Sequence, residues 1–167
     1  MASIKGISIK NIKTFRGREY PTNYQGNIYY NGKKMGFWSQ DDWGGPDRYD
    51  FDTTELNKVA KEYYGEDSIY DLDCLIFEIL RLVDYEKIYK KAVKAGYDSV
   101  VILSDGYAES YIKVPREKNK DKIVKNCEFY IKDFETKSKY KDKIKKFIFT
   151  DLEDFNINVT DTDFGKI

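Results

Sequence analysis

Tyr24-Gln25-Gly26-Asn27-Ile28-Tyr29-Tyr30-Asn31-Gly32-Lys33-Lys34-Met35-Gly36-Phe37-Trp38-Ser39-Gln40 decides the reading of the fold. Two runs rich in aromatic residues flank Asn31-Gly32, and both turn residues tolerate the positive φ that a two-residue type I′ turn demands. The stretch predicts a hairpin with strands over 24–30 and 33–40. Its far end delivers Gly36–Tyr49, which holds both tryptophans, Gly44-Gly45-Pro46 and the carboxylates Asp41, Asp42 and Asp47. A short strand over 48–51 then closes an antiparallel meander. On the N-terminal side, Ser3–Phe15 alternates apolar and polar residues and predicts one long strand bent at Gly6.

Downstream the period changes from two to about 3.6. Asp52-Thr53-Thr54-Glu55 has the form of a capping box. Leu56, Val59, Ala60 and Tyr63 follow at helical spacing, with Gly65 placed to end the helix in the left-handed conformation. A second helix is predicted over 69–83, where Ile69, Leu72, Leu75, Ile76, Ile79, Leu80 and Val83 form one stripe. Phe77 and Leu82 widen it, which implies burial on most sides. Tyr85, Ile88, Tyr89, Ala92 and Val93 describe a third helix stopped by Gly96. Val100–Leu103 reads as a buried strand, Asp105-Gly106 as a turn, and 107–114 as the returning strand. Ile123, Val124, Cys127, Tyr130, Ile131 and Phe134 suit one further helix from Lys118. Strands at 147–150 and 157–159 precede an end expected to fray from Thr160.

Strands first, helices next and a mixture last argue an α+β fold with a mainly antiparallel sheet. At 167 residues the expectation is a single domain, β-rich over 1–51, helical over 52–96 and mixed over 97–167. With 41% apolar and 35% charged residues, the composition is that of a globular protein. Formal net charge is zero, yet residues 116–146 carry 12 Lys/Arg against 6 Asp/Glu. The two cysteines, Cys74 and Cys127, sit in apolar periodic stretches and read as buried small hydrophobes, not a disulfide. No signal-peptide core and no membrane-length apolar run occurs, so a reducing cytoplasm is the expected compartment.

The chain contains no histidine. That removes the commonest general base, the Ser-His and Cys-His pairs and the usual transition-metal ligand. Neither a P-loop nor a G-x-G-x-x-G fingerprint is present. Accordingly, no catalytic residue, metal ligand or cofactor is assigned. Carboxylate chemistry stays open: Asp41, Asp42, Asp47, Asp50 and Asp52 lie close together, where oxygen ligands suit Mg²⁺ or Ca²⁺. Capping of turns and of a helix start explains the same residues. Pro46-Asp47 with Glu135-Thr136-Lys137 has the residue types of a P-D…[DE]-x-K metal nuclease, and such a reaction would depend on carboxylates such as Asp47 or Glu109. The basic segment offers Lys137, Lys139, Lys141 and Lys143 beside Phe129, Tyr130, Phe134 and Tyr140, a pattern that suits nucleic acid. A solvated lysine face explains it too. The acids Asp151, Glu153, Asp154, Asp161 and Asp163, with those near the tryptophans, can present phosphate-like charge to a basic groove.

Two resemblances bear on function. Lys94-Ala95-Gly96-Tyr97-Asp98-Ser99-Val100-Val101-Ile102 resembles the helix–turn–strand step of ADP-ribosyltransferase-like folds, which implies transferase chemistry. The Arg, Ser-Thr-Ser and Glu-x-Glu pattern of those enzymes is absent. Ile9–Phe15, Tyr24–Asp41 and Gly44-Gly45-Pro46-Asp47 resemble small phage and mobile-element proteins of low-GC bacteria, in particular anti-CRISPR inhibitors of Cas9-type nucleases. That resemblance implies a non-enzymatic anti-defence protein that binds a CRISPR effector or its guide-RNA complex. Trp38, Gln40, Asp41, Asp42, Trp43 and Asp47 are then the expected partner-binding residues, with the tryptophans as anchors. Strand alternation requires Phe37 or Trp38 to face the core. Trp43 is the better contact. The alternative is a nucleic-acid-binding module using 116–146.

Overall fold

A computed structural model describes residues 1–160. The described chain is α+β, with four α-helices and nine strands in two sheets. It divides into two compact units: Met1–Val83 with the segment from Asn156, and Asp84–Phe155.

The first unit is built on the predicted hairpin. β3 (Asn23–Tyr30) and β4 (Lys33–Ser39) are antiparallel, and Asn31 and Gly32 both take positive φ (47° and 81°) as the turn requires. β2 (Ile7–Phe15) pairs with the other edge of β3, and β5 (Arg48–Tyr49) with β4. The long strand expected over 3–15 is instead folded back on itself. Lys5 and Gly6 take φ of 49° and 80°, making a second two-residue turn that pairs Ile4 with Ile7. Gly6 is thus a reversal, not a bend. The resulting β1 (Ser3–Ile4) runs parallel to β9 (Asn156–Ile157), so the sheet order is β5-β4-β3-β2-β1-β9. β9 is shorter than the strand expected over 157–159.

One face of this sheet carries Ile7, Ile9, Ile28 and Trp38, all buried. Gly36 and Gly26 belong to the same face for steric reasons. A Cβ on Gly36 would stand 2.5 Å from Phe51 Cδ1, and one on Gly26 would stand 2.9 Å from Ile9 Cγ2. The buried stripes of α1 (Thr54–Tyr64) and of the first half of α2 (Leu72–Lys94) complete the apolar content: Leu56, Val59, Ala60 and Tyr63, then Leu72, Leu75, Ile76, Ile79 and Leu80.

Helix boundaries differ from expectation in three places. The second and third predicted helices are one 23-residue helix, α2, because nothing between Leu72 and Lys94 breaks it. Ile69 lies before its start and is 91% exposed, and Phe77 is half exposed, so the stripe is narrower than the sequence suggested. At α1, Asp52 supplies the cap: its Oδ1 accepts from Thr54 N (2.9 Å) and Thr54 Oγ1 (2.6 Å), while Thr53 makes no capping bond. Gly65 ends α1 at φ 99°, ψ 146°, outside the left-handed helical region. The helix expected from Lys118 is two, α3 (Lys120–Asn126) and α4 (Glu128–Lys137). Asn126, a poor helix former, precedes the break at Cys127 (ψ 2°). Ile123, Cys127 and Ile131 nevertheless stay on one buried face.

The second unit has three layers. β6 (Ser99–Ser104), buried along its whole length, lies between β7 (Glu109–Val114) and β8 (Lys145–Phe149). On one face Val101, Leu103, Val114 and Ile148 pack with Ile123, Cys127 and Ile131 of α3 and α4. On the other, Tyr85 of α2 stands 5.5 Å from the Phe147 ring, and Tyr89 donates to Thr150 O at 2.9 Å. Both cysteines are free; Cys127 is buried and Cys74 half-buried. The expected fraying past Thr160, with Asp161 and Asp163, lies outside the described residues. No helix among the described residues is long and apolar enough to cross a membrane.

Candidate functional site

The connection between β4 and β5, residues 40–47, is held shut by its own aspartates. Asp41 Oδ2 accepts from the backbone N–H of Trp43 (3.0 Å) and Gly45 (3.1 Å), and Asp41 Oδ1 accepts from the Arg48 guanidinium. The Gly45 and Trp43 amides, then Arg48, hold this carboxyl below the ordinary carboxylate range. Gly44 takes φ 78°, which lets the chain reverse between those two donors. Arg18 N and Glu19 N donate to Asp42 O at 2.9 and 3.1 Å, joining the loop 16–22 to this one. The Arg18 guanidinium lies 4.4 Å from the Trp43 ring centroid, a cation–π contact. Trp43 itself is 60% exposed.

Beneath the loop lies a second network. Trp38 Nε1 donates to Asp47 Oδ2 at 2.7 Å. Asp47 N and Tyr49 OH donate to the two oxygens of Asp73 at 3.0 and 2.7 Å. Asp73 lies in the first turn of α2, so these bonds tie β5 and the loop to that helix. Burial, then the charges of Asp73, Asp71 and Asp41, push the Asp47 carboxyl up to about 6, against the Trp38 indole bond that favours the ionised form. Burial and the bond to Asp73 raise the Tyr49 hydroxyl.

The expected partner-binding residues therefore divide. Trp38 is completely buried and presents nothing to a partner, which corrects its assignment as an anchor. The alternation of β4 turns it inward and leaves Phe37, 40% exposed, on the other face. Gln40 is half-buried and structural: its Oε1 accepts from Tyr24 N, and its N–H donates to Tyr24 O, each at 2.9 Å. Asp41 and Asp47 shape the loop from within. Asp42 and Trp43 remain at its surface. Arg18, Tyr49 and Asp73 belong to the same assembly, and nothing in their sequence positions separates them from ordinary loop, strand and helix-start residues.

Among the described residues, no group of three or more His, Cys, Asp or Glu side chains could hold a metal ion. Asp50 accepts from Phe37 N at 2.6 Å and Asp52 caps α1, so the aspartates serve turns and caps as the structural reading required. Glu135 pairs with Lys146 (2.9 Å) and Lys137 with Asp133 (2.8 Å), which leaves the nuclease-like triplet engaged in surface ion pairs. Glu109 accepts from Tyr85 OH at 2.5 Å. In the basic segment, Lys139, Lys141 and Lys143 are exposed. The Lys139 and Lys143 ammonium groups lie 5.5 and 5.6 Å from the Tyr140 ring, and that ring stacks on Tyr107 at 4.3 Å. No family model, curated protein or solved structure matches this chain.

A pH prediction follows from Asp47. In an unfolded chain this carboxyl ionises near 3.8; in the folded protein it ionises near 6. Stability contributed by the protonated form is present in full below the lower value and is lost as pH rises through the higher one. Since the group is not fully buried, solvent screening reduces the effect to about 1 kcal/mol. Asp47→Asn keeps an acceptor for Trp38 without the charge. Thermal melts across pH 4–7 should show the variant matching wild type near pH 4 and gaining on it towards pH 7. A constant difference across that range would refute the assignment.

Proposed function

We propose that this is a non-enzymatic anti-defence protein that inhibits a CRISPR effector nuclease, of the Cas9 type, by direct binding through the loop 40–49. The reading rests on the resemblance of residues 9–47 to such inhibitors and on one structural observation that supports it. Trp43 is an exposed aromatic fixed from two sides, by the Asp41–amide bonds below and by the Arg18 guanidinium against its ring. A large aromatic whose ordering cost is met before binding is the kind of residue that dominates protein interfaces. Asp42, 3.6 Å from the Arg48 guanidinium and still at the surface, supplies charge opposite to a nucleic-acid channel.

Gel filtration with a Cas9–guide RNA complex should give a stable co-eluting species. Trp43→Ala should weaken it by about 2 kcal/mol or more, roughly 30-fold, without changing the melting temperature. Absence of a complex with every effector tested would overturn the target.

A second reading has its own support. The Tyr107–Tyr140 stack flanked by Lys139 and Lys143 combines a base-stacking platform with phosphate-neutralising charge. It describes a nucleic-acid-binding module whose affinity falls steeply with salt.

A further inference from the structure

The face of the first sheet opposite Trp38 has features that the loop does not account for. Between Lys10 and Lys13 the register of β2 against β3 slips by one, so Asn11 and Ile12 together stand opposite Gly26. Asn11 sits at φ 55°, a left-handed conformation that few non-glycine residues adopt. Such a bulge redirects side chains and recurs beside functional sites. Over this bulge opens a pocket of about 450 Å³, lined by Asn11, Ile12, Lys13, Gln25, Asn27 and Phe37, with Gly26 between them. That volume is in the small-ligand range, roughly 300–1,000 Å³.

The lining is polar, with one aromatic ring. The side-chain amides of Asn11, Gln25 and Asn27 make no hydrogen bond among the described residues, nor does the Lys13 ammonium. Phe37 offers an exposed ring at the rim. Cross-strand pairing sets Lys10, Asn27 and Phe37 in one row and Lys13, Gln25 and Ser39 in the next. Lys10 lies over the Tyr29 ring on the same face, at 4.3 Å. The strands that line the pocket are basic, since residues 1–39 contain seven Lys/Arg and a single acid, Glu19; Asp50, which accepts from Phe37 N, is a carboxylate beside the rim.

We infer that this sheet face is a binding site for single-stranded nucleic acid, with a base stacked on Phe37 and its edge read by Asn11, Gln25 and Asn27. Amides both donate and accept, as base edges do. A sheet surface carrying aromatics between lysines is a recurrent platform for unpaired bases, since every base has a face to stack and every nucleotide a phosphate to neutralise. An acidic peptide would find the charge and could pair with the amides, but it offers no flat base face at each repeat to stack on the Phe37 ring. A duplex hides the base faces and is excluded by the same argument.

The site shares no residue with the loop 40–49 or with the Tyr107–Tyr140 stack, so its test does not depend on the CRISPR assignment. Fluorescence anisotropy of labelled oligo(U) and oligo(dT) at low salt should show binding, with the two arms separating RNA from DNA. Phe37→Ala should weaken it about tenfold, and Phe37→Tyr should restore it. Lys13→Glu should weaken it comparably and flatten the salt dependence. Trp43→Ala and the Lys139→Ala/Lys143→Ala double variant should bind as wild type does. Folding is checked by circular dichroism, and Asn27→Asp replaces Phe37→Ala if the latter does not fold. No binding of either oligomer would overturn the inference. So would equal affinity for duplex, or loss confined to the Lys139/Lys143 variant.

Discussion

Trp38→Ala lowers the unfolding free energy by about 3–5 kcal/mol, the range for truncating a fully buried large aromatic. Two losses combine. The indole is completely inaccessible, and Gly26 and Gly36 on the same face have no side chains of their own to move into the space. Its Nε1 also supplies a hydrogen bond to Asp47, a half-buried carboxyl already disfavoured by Asp73 and Asp71. Trp38→Phe separates the two. It retains much of the apolar volume and removes only the donor, so it should cost about 1–2 kcal/mol. Because the indole bond favours ionised Asp47, its removal should move that titration to higher pH. Urea denaturation of both variants, repeated at pH 5 and pH 7, reads both effects. Equal losses for the two substitutions would show that the hydrogen bond, not the packing, sets the stability.

Phe155→Ala has a comparable effect in the second unit, again about 3–5 kcal/mol. Phe155 is fully buried in the short 3-10 turn Glu153–Phe155. Its ring stacks on Phe149 at 4.2 Å and meets Tyr89 at 5.6 Å. Phe149 in turn lies parallel to Phe147 at 6.4 Å, so truncation opens one end of a continuous aromatic layer. Asp154 fixes the turn by accepting from Thr150 N and Asp151 N and pairing with Lys120, which limits how far the backbone can collapse into the void. Phe129→Ala is the control. That ring is 75% exposed, and its removal should change stability by no more than about 0.5 kcal/mol. A loss under about 1 kcal/mol for Phe155→Ala would mean that the layer closes over the gap.

Local signals served where the chemistry was local. Asn31-Gly32 fixed a turn, and through it the register of two strands, because only residues that accept positive φ can make that reversal. The same chemistry was present at Lys5-Gly6 but was masked by alternation running unbroken through Gly6. Alternation reports which face a residue occupies, not whether the strand has reversed. α2 reads as two helices in the sequence because Asp84, Glu86 and Lys87 thin the apolar stripe between Val83 and Ile88, yet a continuous helix needs only the absence of a breaker. The candidate site was legible in part for the same reason. Gly44, Gly45 and Asp41 announce a structured turn, whereas Arg18 reaches the loop from 24 and 25 residues away and Asp73 from 26, by a fold that no local pattern specifies.

The amino-acid sequence by itself determined the α+β class, the hairpin read over 24–40, the buried strand at its second unit's centre and the absence of histidine chemistry. These depend on composition and on interactions within a few residues. The tertiary structure decided which tryptophan is core and which is surface. It also decided that Asp47 is held near Asp73, and that Asn11, Gln25, Asn27 and Phe37 border one pocket. Each of these is a pairing between distant segments, and burial and electrostatic neighbourhood exist only once those segments have met.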